Sequence, residues 1–271
     1  MLRQRTIVAL ILAPVTLLAT YYGGVAYNLL IITVLLIAAW EYTQLLRSAK
    51  LEPALFLIIG GVLLLVLGRT LTEFKSAHWS LTLLLIASII YHLVRFEQNR
   101  DTAATDFGAT ISAILYIGWL GAYFISLRHL EGGSWWVMFI FFIVWLTDSG
   151  AYFIGSYFGK HPLAPRLSPR KTWEGFWGGV VVGILGGALL PFAFKNTGID
   201  ITPLRGAVLG LVLAPIIPLG DLAESMVKRQ AAKKDSGTLL PGHGGAFDRI
   251  DTLLWAMPIS YYLIVYLLPK L

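Results

Sequence analysis

The sequence predicts an all-α protein that crosses a membrane about nine times, and three observations carry that expectation. Hydrophobic residues make up 57% of the 271-residue chain. Apolar runs close to the ~20 residues that span a bilayer recur throughout it. No polar segment between them is long enough for a soluble domain. The runs fall at roughly 6–22, 25–45, 53–68, 78–94, 108–127, 134–154, 175–194, 204–220 and 252–269. The first follows Leu2-Arg3-Gln4-Arg5; with no small-residue cleavage site behind it, it reads as a retained span rather than a signal peptide.

Charge sets the expected orientation. With the N-terminus inside, the inner segments hold fifteen of the 21 Lys and Arg and the outer ones six, which favours a cytosolic N-terminus and an outer C-terminus. Removing the five basic residues of segment 221–251 still leaves ten against six. Trp79, Trp135, Trp136, Trp173 and Trp177 lie near helix ends and read as interfacial anchors. The Gly-Gly pairs at 60–61, 178–179 and 186–187 permit close helix approach. Cysteine is absent, which excludes thiolate chemistry and disulfides. The net charge of +6 suits anionic headgroups and nucleotides. Without a basic soluble module, nucleic acid is a poor partner.

Two inner segments break the apolar pattern. Residues 221–251 place five acids and five Lys or Arg between the last two runs. Lysine and arginine suit phosphate, while Asp221, Asp248 and Asp251 suit a divalent cation, so the mixture points to metal-assisted chemistry on phosphates. Residues 148–179 carry Asp148 inside an apolar run, where an ionised carboxylate costs roughly 2.5–3.5 kcal/mol and needs a partner or a wet cavity. Lys160, Arg166, Arg170 and Lys171 follow on a stretch with proline at 162, 165 and 169, which predicts irregular backbone. The chain divides into N-terminal scaffold helices, 1–130, and C-terminal helices, 131–271, with catalytic loops at 155–174 and 221–251. Glu41 reads as an acid snorkelling to the interface, outside the site. Glu224 enters only as a helix-surface partner four residues ahead of Lys228.

Ser225, Lys228-Arg229, Lys234-Asp235, Pro241, His243-Gly244-Gly245 and Asp248-Arg249-Ile250-Asp251, with Ser168-Pro169-x-Lys171-Thr172-x-Glu174-Gly175 before them, resemble the signature of the phosphatidate cytidylyltransferase (CDP-diacylglycerol synthase) family. The one departure is Ala246, where the family has a larger aliphatic residue, ahead of a bulky Phe247. The resemblance implies CTP and phosphatidate as substrates, CDP-diacylglycerol and pyrophosphate as products, membrane lipids as surroundings, a homodimer, and the inner membrane of a prokaryote with the site facing the cytosol.

The reaction joins two anions, so repulsion and charge on the departing pyrophosphate are the main obstacles, and cations and positioned donors relieve them. On this reading Mg2+, with room for a second cation, is held by Asp221, Asp248 and Asp251, with Asp148 as an outer member. The catalytic set comprises Asp221, Asp248, Lys228, Arg229, Lys234 and Asp235. Lys171, Arg166, Arg170, Ser225, His243, Gly244, Gly245 and Arg249 bind substrate, with Lys228, Arg229 and Lys234 serving CTP and Arg166, Arg170 and Lys171 the lipid phosphate. The expected location is a polar cavity formed by the sixth to ninth spans, open to the cytosol and the inner leaflet. Two other classes stay in view. A CTP-dependent polyprenol-type lipid kinase would release CDP. A cation transporter using Asp148 and Asp221 leaves the dense basic segment unexplained.

Overall fold

The computed structural model describes residues 2–73, 75–237, 239 and 244–271, with side chains from Leu12 onward. Eight of its helices are long and apolar enough to cross a membrane: α2 (Gly24–Ser48), α3 (Leu55–Thr72), α4 (Ala77–Glu97), Ala103–Arg128, α7 (Gly133–Phe158), α8 (Trp173–Ala193), α9 (Pro203–Gln230) and Phe247–Lys270. The first helix, α1 (Leu2–Tyr22), precedes them. Two spans are composite: Ala103–Arg128 is α5 (Ala103–Ala113), a π turn (Ile114–Trp119) and α6 (Tyr123–Arg128), and the last runs α10 (Phe247–Ile250), α11 (Leu253–Tyr262) and a π turn. The all-α expectation holds, with one addition. The proline-punctuated stretch after α7 is a small antiparallel hairpin, β1 (Pro162–Ala164) and β2 (Ser168–Thr172), with Pro162 opposite Thr172 and Ala164 opposite Ser168.

The chain forms two compact units. The first comprises residues 1–19, 23–126 and 227–249, the second 20–22, 127–226 and 250–271. Segment 227–249 thus groups with the N-terminal helices.

In the first unit α2, α3, α5 and the π turn share an apolar core that includes Tyr27, Leu35, Ile58, Val62, Ile114 and Ile117, all at most 1% exposed. The loop between α2 and α3 is fastened by Asp106 in the first turn of α5, where the helix N-terminus favours an acid. Asp106 accepts the Glu52 N–H at 2.8 Å and pairs with Arg100 at 2.8 Å.

The second unit is built on small residues. Along α8, Gly175, Gly179, Gly183 and Gly187 recur every four positions and make one stripe. A Cβ on Gly179 would press on Ala151 and the Thr147 carbonyl of α7; one on Gly187 would strike the Gly206 carbonyl of α9. In lipid, where hydrophobicity does not drive helices together, close backbone contact of this kind supplies the packing. It fixes α7, α8 and α9, the three helices that carry or flank the unusual charges.

The segment expected as a loop from 221 is helical through Gln230. Asp221, Glu224, Ser225 and Lys228 follow one another at three- and four-residue steps, so helical geometry places them on one side of α9. About twenty residues from Pro203 span the hydrocarbon, which puts Asp221 near its edge. The helix ends with the Ala232 N–H on the Arg229 carbonyl and the Lys233 N–H on the Lys228 carbonyl, a Schellman turn with Ala232 left-handed at φ 52°.

Candidate active site

In the second unit, Lys171 is the residue toward which the local structure converges. Thr172 caps α8, its hydroxyl accepting the Gly175 N–H at 3.2 Å, and Glu174 accepts the N–H groups of Lys160 and His161 at 3.1 and 3.2 Å. With both ends of the hairpin held, Lys171 on β2 reaches α9, where its ammonium meets Asp221 at 2.6 Å and the Pro218 carbonyl at 3.3 Å. Asp148 of α7 lies within Coulomb range of Lys171 and Asp221. Carboxylate oxygens of Asp221, Glu224 and Asp251 lie within 4.8 Å of one another. Glu224 is 1% and Asp251 7% exposed. Ser225 donates its hydroxyl to Asp221 at 3.3 Å.

This donor set fits the implied magnesium ion. Three carboxylates so close concentrate negative charge, and an all-oxygen anionic set is what a hard divalent ion takes. Gly220, one residue before Asp221, packs on the backbone of Asp251 and Thr252 with no room for a side chain, which lets α9 approach the segment that brings Asp251.

In the first unit a second carboxylate pair is organised differently. Asp248, in the first turn of α10, receives Lys228 on one oxygen at 2.7 Å. Its other oxygen accepts the Ser236 N–H at 2.9 Å, the Ser236 hydroxyl at 2.7 Å and the Gly245 N–H at 2.7 Å. Glu41 of α2, 1% exposed, accepts the Ser236 hydroxyl at 3.1 Å and the Phe247 N–H at 2.9 Å. The glycines follow from this crowding. Gly244 is left-handed at φ 82°, and a Cβ there would meet Asp248. A Cβ on Gly237 or Gly245 would collide with the Glu41 carboxylate. Phe247, fully buried, stacks edge-on against Tyr42 and Tyr116 at 5.4 and 5.9 Å, so Ala246 is small beside a full aromatic pocket.

A long motif shared in order and spacing, on a chain of spanning helices, is decided by comparison with known sequences. The profile of the cytidylyltransferase family matches residues 3–267. This chain belongs to that family. Among the family's curated members, the phosphatidate cytidylyltransferase of Brucella suis is 36% identical over 264 residues, covering 96% of this chain and 92% of the relative. That of Bacillus subtilis is 33% identical over 97% of both chains. That of Synechocystis is 32% identical over 99% and 98%.

The remaining candidates of this cytidylyltransferase-family chain are spread over its surface. Arg166 and Arg170 are exposed on the turn and outer side of the hairpin. Arg229 is exposed and donates to the Lys233 carbonyl at 3.3 Å. Lys234 and Asp235, with Gln44 and Ser48 of α2, line an open recess of about 380 Å³. Arg249 is exposed on α10, and His243 lies outside the described residues. Two acids absent from the sequence-based site now sit at its clusters: Glu224 beside Asp221 and Asp251, and Glu41 beside Ser236. Both carried a signal. Glu224 stands three residues after Asp221, on the same helical side, and Glu41 is an acid in an apolar span, which by energetics alone calls for an interior partner.

Proposed function

We propose that this chain is a CTP:phosphatidate cytidylyltransferase that makes CDP-diacylglycerol. Carrying most weight is its near-full-length similarity to proteins of that name, the Brucella suis and Bacillus subtilis enzymes among them. A phosphate oxygen of phosphatidate attacks the α-phosphorus of CTP. The bond from that phosphorus to the oxygen bridging it to the β-phosphate breaks, and pyrophosphate leaves. No strong base is needed, because the attacking phosphate is already ionised near neutral pH.

Magnesium held by Asp221, Glu224 and Asp251 would neutralise phosphate charge and help align the reacting groups. The convergence of these three carboxylates supports that assignment. Lys171 restrains Asp221 and, with Arg166 and Arg170, serves the lipid phosphate; Lys228, Arg229 and Lys234 serve CTP. Asp248 holds Lys228 and the Gly244–Gly245 backbone in place, so its contribution is to keep donors directed at substrate. The charge distribution supports a cytosolic N-terminus with the chemistry at the inner face of a bacterial membrane, and a homodimer is the assembly we assign.

Purified protein supplied with CTP, magnesium and phosphatidate should release pyrophosphate and CDP-diacylglycerol in equal amounts. Release of CDP with a phosphorylated lipid would overturn the assignment in favour of a kinase.

A further inference from the structure

Glu41 stands on α2, almost two hundred residues before the signature segment, and it is buried to 1% exposure near the inner end of an apolar span. A carboxylate in such a place is costly unless it does something for its neighbours. Its neighbours here are the two ends of one loop. One oxygen accepts both the Ser236 hydroxyl at 3.1 Å and the Phe247 N–H at 2.9 Å. Asp248 follows Phe247 immediately, so a single side chain from outside the segment ties residues 236 and 247 together. The same carboxylate fills the space where side chains on Gly237 and Gly245 would stand. Ser236 passes the restraint on: its one hydroxyl proton is shared between Glu41 and, at the shorter 2.7 Å, Asp248, the partner of Lys228, and its N–H also meets Asp248.

We infer that Glu41 is a positioning residue for nucleotide binding: it ties Ser236 to Phe247 and, through Ser236 and Asp248, fixes Lys228 in its working orientation. The inference rests on the cytidylyltransferase reading for the ligand, but the clamp itself is a property of the fold. Its chemistry makes a specific demand. Both hydrogen bonds end on one oxygen, so an amide oxygen in that place satisfies them equally and the negative charge is dispensable. A metal ligand or a group acting on substrate would need the charge.

Three variants separate these roles. Glu41→Gln keeps the acceptor, Glu41→Met keeps the volume without it, and Ser236→Ala removes the relay. Glu41→Met is expected to lower kcat/KM for CTP by about a hundredfold, the loss that a displacement near 1 Å produces, with KM for phosphatidate changed less than threefold. Glu41→Gln should stay within about fivefold of wild type. Ser236→Ala combined with Glu41→Met should be little worse than Glu41→Met alone, as expected for residues acting as one unit.

Hydrogen exchange without nucleotide reads the clamp directly. The Gly245 and Phe247 amides should exchange at least tenfold faster in Glu41→Met than in wild type or Glu41→Gln. Equal inactivity of the Gln and Met variants, or unchanged exchange in Glu41→Met, would overturn the proposal. If Glu41→Met does not fold, Glu41→Gln alone decides by its activity and amide protection. A wild type that exchanges as predicted but makes no CDP-diacylglycerol would refute the enzymatic reading and leave the clamp standing.

Discussion

Two carboxylate clusters in this chain use the same residue types to opposite ends. Around Asp248, nearly every oxygen contact is with a donor: a lysine, two backbone N–H groups and a hydroxyl. Around Asp221, Glu224 and Asp251, carboxylate oxygens gather within 4.8 Å of one another, with Lys171 of the hairpin and the Ser225 hydroxyl on Asp221. The first arrangement turns its Asp248 oxygens to donors of the protein and holds backbone in place. The second concentrates negative charge and is suited to a cation from outside. Residue type alone does not tell a metal ligand from a scaffold acid; what its oxygens face does.

Substitutions can break that distinction. The largest effect is expected from Asp221→Asn, which removes a charge from the proposed metal site and from the ion pair with Lys171 together. Its kcat at saturating CTP should fall at least a hundredfold, about 2.7 kcal/mol of barrier, and retention of more than a tenth of the activity would refute its role. Asp248→Asn should come next and differ in kind. It removes the negative charge that faces Lys228, whose side chain is 10% exposed, so thermal or denaturant unfolding should show a loss of about 3 kcal/mol, while the magnesium concentration for half-maximal activity stays within twofold.

Glu224→Gln sharpens the comparison from the other side. Stability should change little, and the half-maximal magnesium concentration should rise about tenfold, equivalent to about 1.4 kcal/mol. The smallest effect is expected at Ala232, whose left-handed φ of 52° strains a Cβ. Ala232→Gly should raise the melting temperature by the equivalent of at most about 1 kcal/mol, with kinetics unchanged.

How much of this was legible in the sequence differs between elements. Run length and hydropathy located the eight long apolar helices among the described residues, because crossing a bilayer takes about twenty apolar residues in each. The helix end at Gln230 was not legible, since charged residues after a span read as loop although Asp221, Glu224, Ser225 and Lys228 keep helical spacing to the turn at Ala232. The sequence reading picked Asp221, Asp248 and Asp251 as metal ligands, with Asp148 as an outer member, and left out Glu224, which looked like an ordinary helix-surface acid. Glu41 was beyond reach for another reason: its partners, Ser236 and Phe247, are contacts made only by the tertiary fold, and one sequence carries no trace of which distant loop meets a buried acid. The proline stretch gave irregular backbone, and the hairpin that aims Lys171 depends on Glu174 holding its far end.

The separation of a metal-binding cluster from a scaffold cluster is tested most directly by cation binding without substrate. Manganese, titrated into purified wild type, Glu224→Gln and Asp248→Asn and followed by electron paramagnetic resonance of the free ion, reports occupancy independently of turnover. Wild type and Asp248→Asn should bind with equal affinity, and Glu224→Gln should bind at least tenfold more weakly. Binding lost in Asp248→Asn and kept in Glu224→Gln would contradict the account and give the metal to the other cluster.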